Sequence, residues 1–137
     1  MKNKTSLAAL FFVLIAVLAC STGGTEKAGE AVEIFHQRFN EGRFAVIYKD
    51  ASAEFKDATA AGQLENILEQ VKDRLGSVQS AKQTSWKHRK NTAGDIVTLN
   101  YDVEFANGSG TEEFMYKIVD EQALLFNYKV NSPLLED

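Results

Sequence analysis

Cysteine and proline are almost missing from this chain, with one of each in 137 residues. A single cysteine excludes a disulfide framework within one chain and also a cysteine-rich zinc site. The lone proline, Pro133, stands near the end, so no helix or strand before it is interrupted by one. Histidine is scarce too: His36 and His88 lie in unrelated segments and do not compose a transition-metal set, and no cofactor is expected. Positive charge is in deficit, 15 basic residues against 19 acidic for a net charge of −4, which argues against nucleic acid as a partner. Internal repeats and low-complexity stretches are absent. What remains, 10% aromatic and 25% charged, describes an ordinary globular chain and not a disordered one.

Long apolar runs are absent as well, except at the start. Lys2 and Lys4 open the chain, and Leu7 through Ala19 is unbroken apolar sequence. That run is shorter than a comfortable membrane span of about 17 to 25 residues but suits the core of an export signal. Residues 1–19 are therefore set aside, and residues 20–137 hold the working protein. The run stops at Cys20, and Ser21-Thr22-Gly23-Gly24-Thr25 follows at once. Val17-Leu18-Ala19-Cys20 resembles a bacterial lipobox. The resemblance implies a lipid on the Cys20 thiol, cleavage just before it, acylation of the new amino terminus, and attachment to a membrane of the bacterial cell envelope. Ser21, where an aspartate would retain such a protein at the inner membrane, implies the outer membrane, facing the periplasm, in a diderm host. The alternative is an ordinary secretory signal with a cysteine beside its cleavage site. Each buried methylene contributes about 0.8 kcal/mol, so two or three chains hold durably where one holds weakly. Residues 20–28, extending to about Gly29, read as a polar flexible tether of about 15 to 18 Å, which keeps the domain near the membrane surface.

A domain is expected over residues 29–132, with a short tail at 133–137. Val32, Phe35 and Phe39 recur at helical spacing, and Gly42 closes that helix. A second short helix starts near Arg43, with Phe44, Ile47, Tyr48 and Ala51 on one face. Phe55 falls in the connection after it. Thr59 is placed to cap a third helix, whose stripe of Leu64, Ile67, Leu68, Val71 and Leu75 ends at Gly76. The period then changes. A strand from about Val78 to Arg89 contains Trp86, and Asn91 through Asp95 lead into the next. There Val97, Leu99, Tyr101, Val103 and Phe105 alternate with Thr98, Asn100, Asp102 and Glu104. Asn107-Gly108 offers residues tolerant of positive φ, and Phe114, Tyr116 and Ile118 resume the alternation. After Asp120-Glu121-Gln122 a last strand carries Leu124, Phe126, Tyr128 and Val130, and Pro133 ends the sheet.

Helices first and a meander after them define an α+β fold, three N-terminal helices on a bent four-stranded antiparallel sheet. The sheet is expected to bury Leu64, Ile67, Leu68 and Val71 against itself. Phe39-Asn40-Glu41-Gly42-Arg43-Phe44-Ala45-Val46-Ile47-Tyr48, Leu75-Gly76-Ser77-Val78 and Phe126-Asn127-Tyr128-Lys129-Val130 resemble successive pieces of nuclear-transport-factor-2-like domains, among them uncharacterised bacterial lipoproteins. The resemblance implies a cone-shaped sheet with helices closing one side and a pocket inside. It also implies that an enzyme of this kind, such as a steroid isomerase or polyketide cyclase, keeps an acidic base and an oxyanion donor in the cone.

The apolar strand phases offer tyrosine hydroxyls but no carboxylate. Asp102, Glu104, Glu113 and Lys117 fall on the opposite phase and read as cross-strand pairs on an outer surface. The expected pocket is lined by Val97, Leu99, Tyr101, Phe114, Tyr116 and Phe126, without an acid, and no catalytic residue is assigned. Tyrosines so placed are either pocket donors or core residues with their hydroxyls at the edge. His36, beside the first helical stripe, is either a general base or a half-exposed residue at its margin. Lys87-His88-Arg89-Lys90 suits either anionic headgroups or a solvated strand end. Trp86 reads as a core side chain, with an interface anchor as the alternative. The expected function is a lipid-anchored, non-catalytic module that binds a small apolar ligand or an envelope protein. The alternatives are an isomerase-like or cyclase-like enzyme of the same fold, or a homodimeric scaffold joined through its sheet.

Overall fold

A computed structural model describes residues 23–136. Four helices come first: α1 (Gly23–Asn40), α2 (Phe44–Lys49), α3 (Ala53–Ala58) and α4 (Ala61–Leu75). Four strands follow, β1 (Val78–Asn91), β2 (Gly94–Phe105), β3 (Gly108–Val119) and β4 (Gln122–Asn131), then a 3-10 turn over Pro133–Leu135. The class is α+β, with the strands in sequence order as an open antiparallel meander. None of the described helices is long and apolar enough to cross a membrane.

α1 buries Ala28, Val32, Phe35 and Phe39 along one stripe. Ala28 extends that stripe one turn towards the amino terminus, and its complete burial carries the helix back to Gly23 despite Gly23, Gly24 and Gly29. The flexible tether expected as far as Gly29 is thus helical from Gly23 onward. Gly42, at φ 71°, turns the chain out of α1 into α2.

Among the described residues the helices number four where three were expected, because residues 53–58 form one of their own. The buried Ser52 hydroxyl accepts a hydrogen bond from the Phe55 amide at 3.1 Å and caps α3, which draws Phe55 out of the connection and into the core. Thr59 ends α3 and does not cap the next helix; Ala60 takes that place without a side-chain cap. On α4, Leu64, Leu68, Val71 and Leu75 are buried while Ile67 is 42% exposed. Ile67 lies about 60° around the helix from Leu64, on the far side from Leu68, and falls off the stripe. The main neighbours of α4 are α2, the 3-10 turn and α1, whereas α1 touches all four strands. So α1 is the helix laid on the sheet, and α4 packs beside it rather than against the strands.

Gly76 closes α4 at φ 79°, and a Cβ there would stand 2.8 Å from that of Ala106. This close approach lets the β2–β3 hairpin clasp the helix end, with the Asn107 amide donating to the Leu75 carbonyl at 2.9 Å. Asn40 ties α1 to β1 in a similar way. Its side chain donates to the Val78 carbonyl at 3.0 Å and accepts from the Val78 amide at 2.8 Å.

β2 alternates as expected, with Val97, Leu99, Tyr101, Val103 and Phe105 buried. Its turn to β3 passes through Ala106 and Asn107, neither of them at positive φ, so Asn107-Gly108 does not act as the expected left-handed pair. The β3–β4 turn is the one built that way: Asp120 at φ 48° and Glu121 at φ 64° give the twist a two-residue hairpin prefers. β4 departs from simple alternation. Met115 pairs with Asn127 and Tyr116 with Leu125, which leaves Phe126 as a bulge. The phase therefore shifts, and Leu125 goes inward while Phe126 joins Ile96 and Met115 in a groove on the outer face. β1 buries no residue at all, and Trp86, expected in the core, is 59% exposed. Only Val78 of this edge strand packs against the core, and the helices leave the rest of it uncovered.

Candidate functional site

Two residues before Phe114, on the same face of β3, stands Glu112, opposite Tyr101 on β2 and Val130 on β4. Its carboxylate is enclosed, with a side chain only 1% exposed. A buried carboxylate needs partners, and α1 supplies one. His36 Nε2 lies 3.2 Å from Glu112 Oε2, with the imidazole 12% exposed. Aromatic rings surround the pair edge-on, Phe114 at 5.7 Å and Tyr101 at 6.4 Å from the imidazole. The expectation of an acid-free interior is overturned by Glu112. His36 is turned inward to a carboxylate and is not a half-exposed marginal residue.

The tyrosines feel this enclosure. Burial holds the Tyr128 hydroxyl well above its ordinary pKa, and the charge of Glu112 and a hydrogen bond to it add to the effect. Burial does the same at Tyr116, again reinforced by Glu112. At Tyr101 burial comes first, followed by the charges of Glu33 and Glu112. Tyr101 also donates to Gln83 Oε1 at 3.4 Å, and no buried side-chain polar atom among the described residues lacks a partner. An imidazole, a carboxylate and the Tyr128 hydroxyl in this order can pass a proton. Neither His36 nor Glu112 lines any of the three clefts described here. In this conformation the pair joins α1 to the sheet.

The accessible space lies elsewhere. One cleft of about 550 Å³ opens between α1, the end of α2 and the start of β4, with Ile34, Phe35, Ile47, Tyr116 and Leu125 in its apolar wall. Arg38 and Asp50, paired at 2.9 Å, bridge the two helices at that cleft. Of the six anticipated pocket residues, Tyr116 alone reaches it. Val97, Leu99 and Phe114 are sealed in the core, Tyr101 faces the buried pair, and Phe126 lines the outer groove of about 640 Å³. Asp102 and Glu104 are exposed and line a third groove with Ser109 and Thr111. Lys117, expected to pair across strands, reaches Glu54 of α3 instead, and this hydrogen bond lowers the Glu54 pKa. Cys20 lies outside the described residues.

A family model for proteins of unknown function (DUF3887) matches residues 31–125, from within α1 to Leu125 on β4. The match spans more than half of the chain, and the protein belongs to that family. It includes both members of the buried pair and most of the cleft wall. No curated protein matches the chain.

Proposed function

For this member of a family of unknown function we propose a lipid-anchored, non-catalytic binding module of the bacterial cell envelope, with the domain a nuclear-transport-factor-2-like cone. Helices followed by a four-stranded antiparallel meander support the fold reading. The anchor reading rests on Cys20 at the end of the apolar run, three residues ahead of α1. The observation that carries the binding role is the cleft between α1, α2 and β4. It has an apolar wall and a rim of mixed charge, with Lys27, Arg38 and Lys49 set against Glu30, Asp50 and Glu121, so it suits a small apolar molecule with a polar end. Mass spectrometry of the mature protein should find Cys20 acylated, and Cys20→Ser should leave the membrane fraction; an unmodified thiol overturns the anchor. Anilinonaphthalene sulfonate, an apolar anion, should bind the cleft, and Ile34→Asp should weaken it about tenfold or more. Equal binding by both proteins overturns the cleft.

The buried pair favours a second reading, an enzyme of the same fold. There, movement of α1 would expose His36 and Glu112 to a substrate as base and acid. A pH-dependent turnover lost in Glu112→Gln, with the fold retained, would establish it. A homodimer through the outer sheet face has Ile96, Met115 and Phe126 in its favour, and sedimentation of the mature protein tests it.

A further inference from the structure

β1 contains no acid and is the most basic of the four strands. It carries Lys82, Lys87, His88, Arg89 and Lys90 in a chain whose net charge is −4. Asp95 engages His88 and stands 4.0 Å from Lys90. Lys82, Lys87 and Arg89 have no carboxylate partner among the described residues, and all three are exposed. Trp86, the register partner of inward Leu99, projects from the other face of the same edge, 59% exposed and the single tryptophan of the chain.

The chain enters the fold at this same place. A Cβ built on Gly24 would stand 3.5 Å from His88 Cε1, so the first turn of α1 lies against the basic end of β1. Cys20 precedes Gly23 by three residues, at most about 11 Å of extended chain. A membrane that holds Cys20 therefore comes within reach of the basic end of β1. Of the acids at this end of the molecule, Asp95 engages His88, Glu26 lies in the first turn of α1, and Asp120 and Glu121 belong to the β3–β4 turn, across the sheet from β1. That distribution tilts the β1 edge, and not the whole end of the sheet, towards a negatively charged surface.

We propose that the Trp86–Lys90 segment of β1 is a membrane-docking edge, which lays Lys87 and Arg89 on anionic lipid headgroups and Trp86 at their level. The proposal builds on the lipid-anchor reading, since the anchor brings this edge within reach. A bilayer fits better than an added acidic strand. The register shift between Gln83 and Ser85 breaks the ladder a strand would extend, and lysines on an edge discourage strand addition.

Residues 21–137 contain every core residue among the described ones, so the unanchored mature chain serves as the probe. It should sediment with phosphatidylglycerol-containing vesicles and not with phosphatidylcholine alone. Lys87→Glu/Arg89→Glu should lower that partition about tenfold or more while leaving circular dichroism unchanged. In the acylated full protein on the same vesicles, lipids brominated near the headgroup should quench Trp86, and salt at about 1 M should relieve the quenching. An acylated protein that stays on the vesicles with Trp86 unquenched overturns the docking edge and leaves the anchor standing. A Cys20 found unmodified, with residues 21–137 still bound to anionic vesicles, overturns the anchor and supports the edge. Capture of a polyglutamate peptide in place of the vesicles assigns β1 to an acidic chain and overturns the proposal.

Discussion

β1 and β2 are hydrogen-bonded neighbours along nearly their whole length, yet they share almost nothing in burial. Trp86 and Leu99 are register partners; one is 59% exposed and the other fully enclosed. Backbone pairing is indifferent to side chains, so burial depends on what lies over the pair. The α1 stripe covers the inward residues of β2 and β3 and leaves β1 with hydrogen bonds and only Val78 packed against the core. A strand held in place without being packed is free to carry charge and an aromatic for a partner. Its neighbour, which builds the core, is not.

The interior side of this contrast should break most severely at the buried pair. His36→Ala leaves Glu112 enclosed without its imidazole and should cost about 3 to 5 kcal/mol in denaturant melts. Leu99→Ala removes a fully buried side chain from β2 and should cost about 2 to 5 kcal/mol. A smaller and continuous effect should appear in alkali. Burial keeps the Tyr116 hydroxyl neutral beyond its ordinary pKa of 10.0, so the unfolded chain releases that proton first. Stability should then fall as pH rises past 10.0, by about 1.4 kcal/mol per pH unit for each such tyrosine, and Tyr116→Phe should flatten the slope. The smallest effect belongs to β1: Trp86→Ala should change stability by about 0.5 kcal/mol or less. A loss at Trp86 equal to that at Leu99 would erase the distinction between the two strands.

The contrast also explains which parts of the fold were legible in the sequence. The β2 alternation and most of the α4 stripe were readable because one period ran unbroken under one cover. Ile67 was misplaced because a side chain at the margin of a stripe has no spacing signal of its own. Phe126 sits at a bulge, and the pairing that produces it involves Met115 and Tyr116 on another strand. The first turns of α1 were hidden by three glycines, and what holds them is the tertiary burial of Ala28. Trp86 has the composition of a core residue and the position of an edge residue, and only the layout of the helices separates the two. Glu112 is different, because a signal for it was present. Counting back two from Phe114 along the inward phase reaches it, but its polarity argued against burial until His36 was known to face it.

The central claim is that His36 and Glu112 act as one structural unit that pins α1 to the sheet, which leaves binding to the cleft and the β1 edge. A double-mutant cycle tests it directly, with His36→Phe, Glu112→Leu and the two combined, each measured by equilibrium unfolding. If the pair is a unit, the combined variant should lose less stability than the sum of the single losses, by about 1 kcal/mol or more. Single losses that simply add, to within about 0.5 kcal/mol, would contradict the claim.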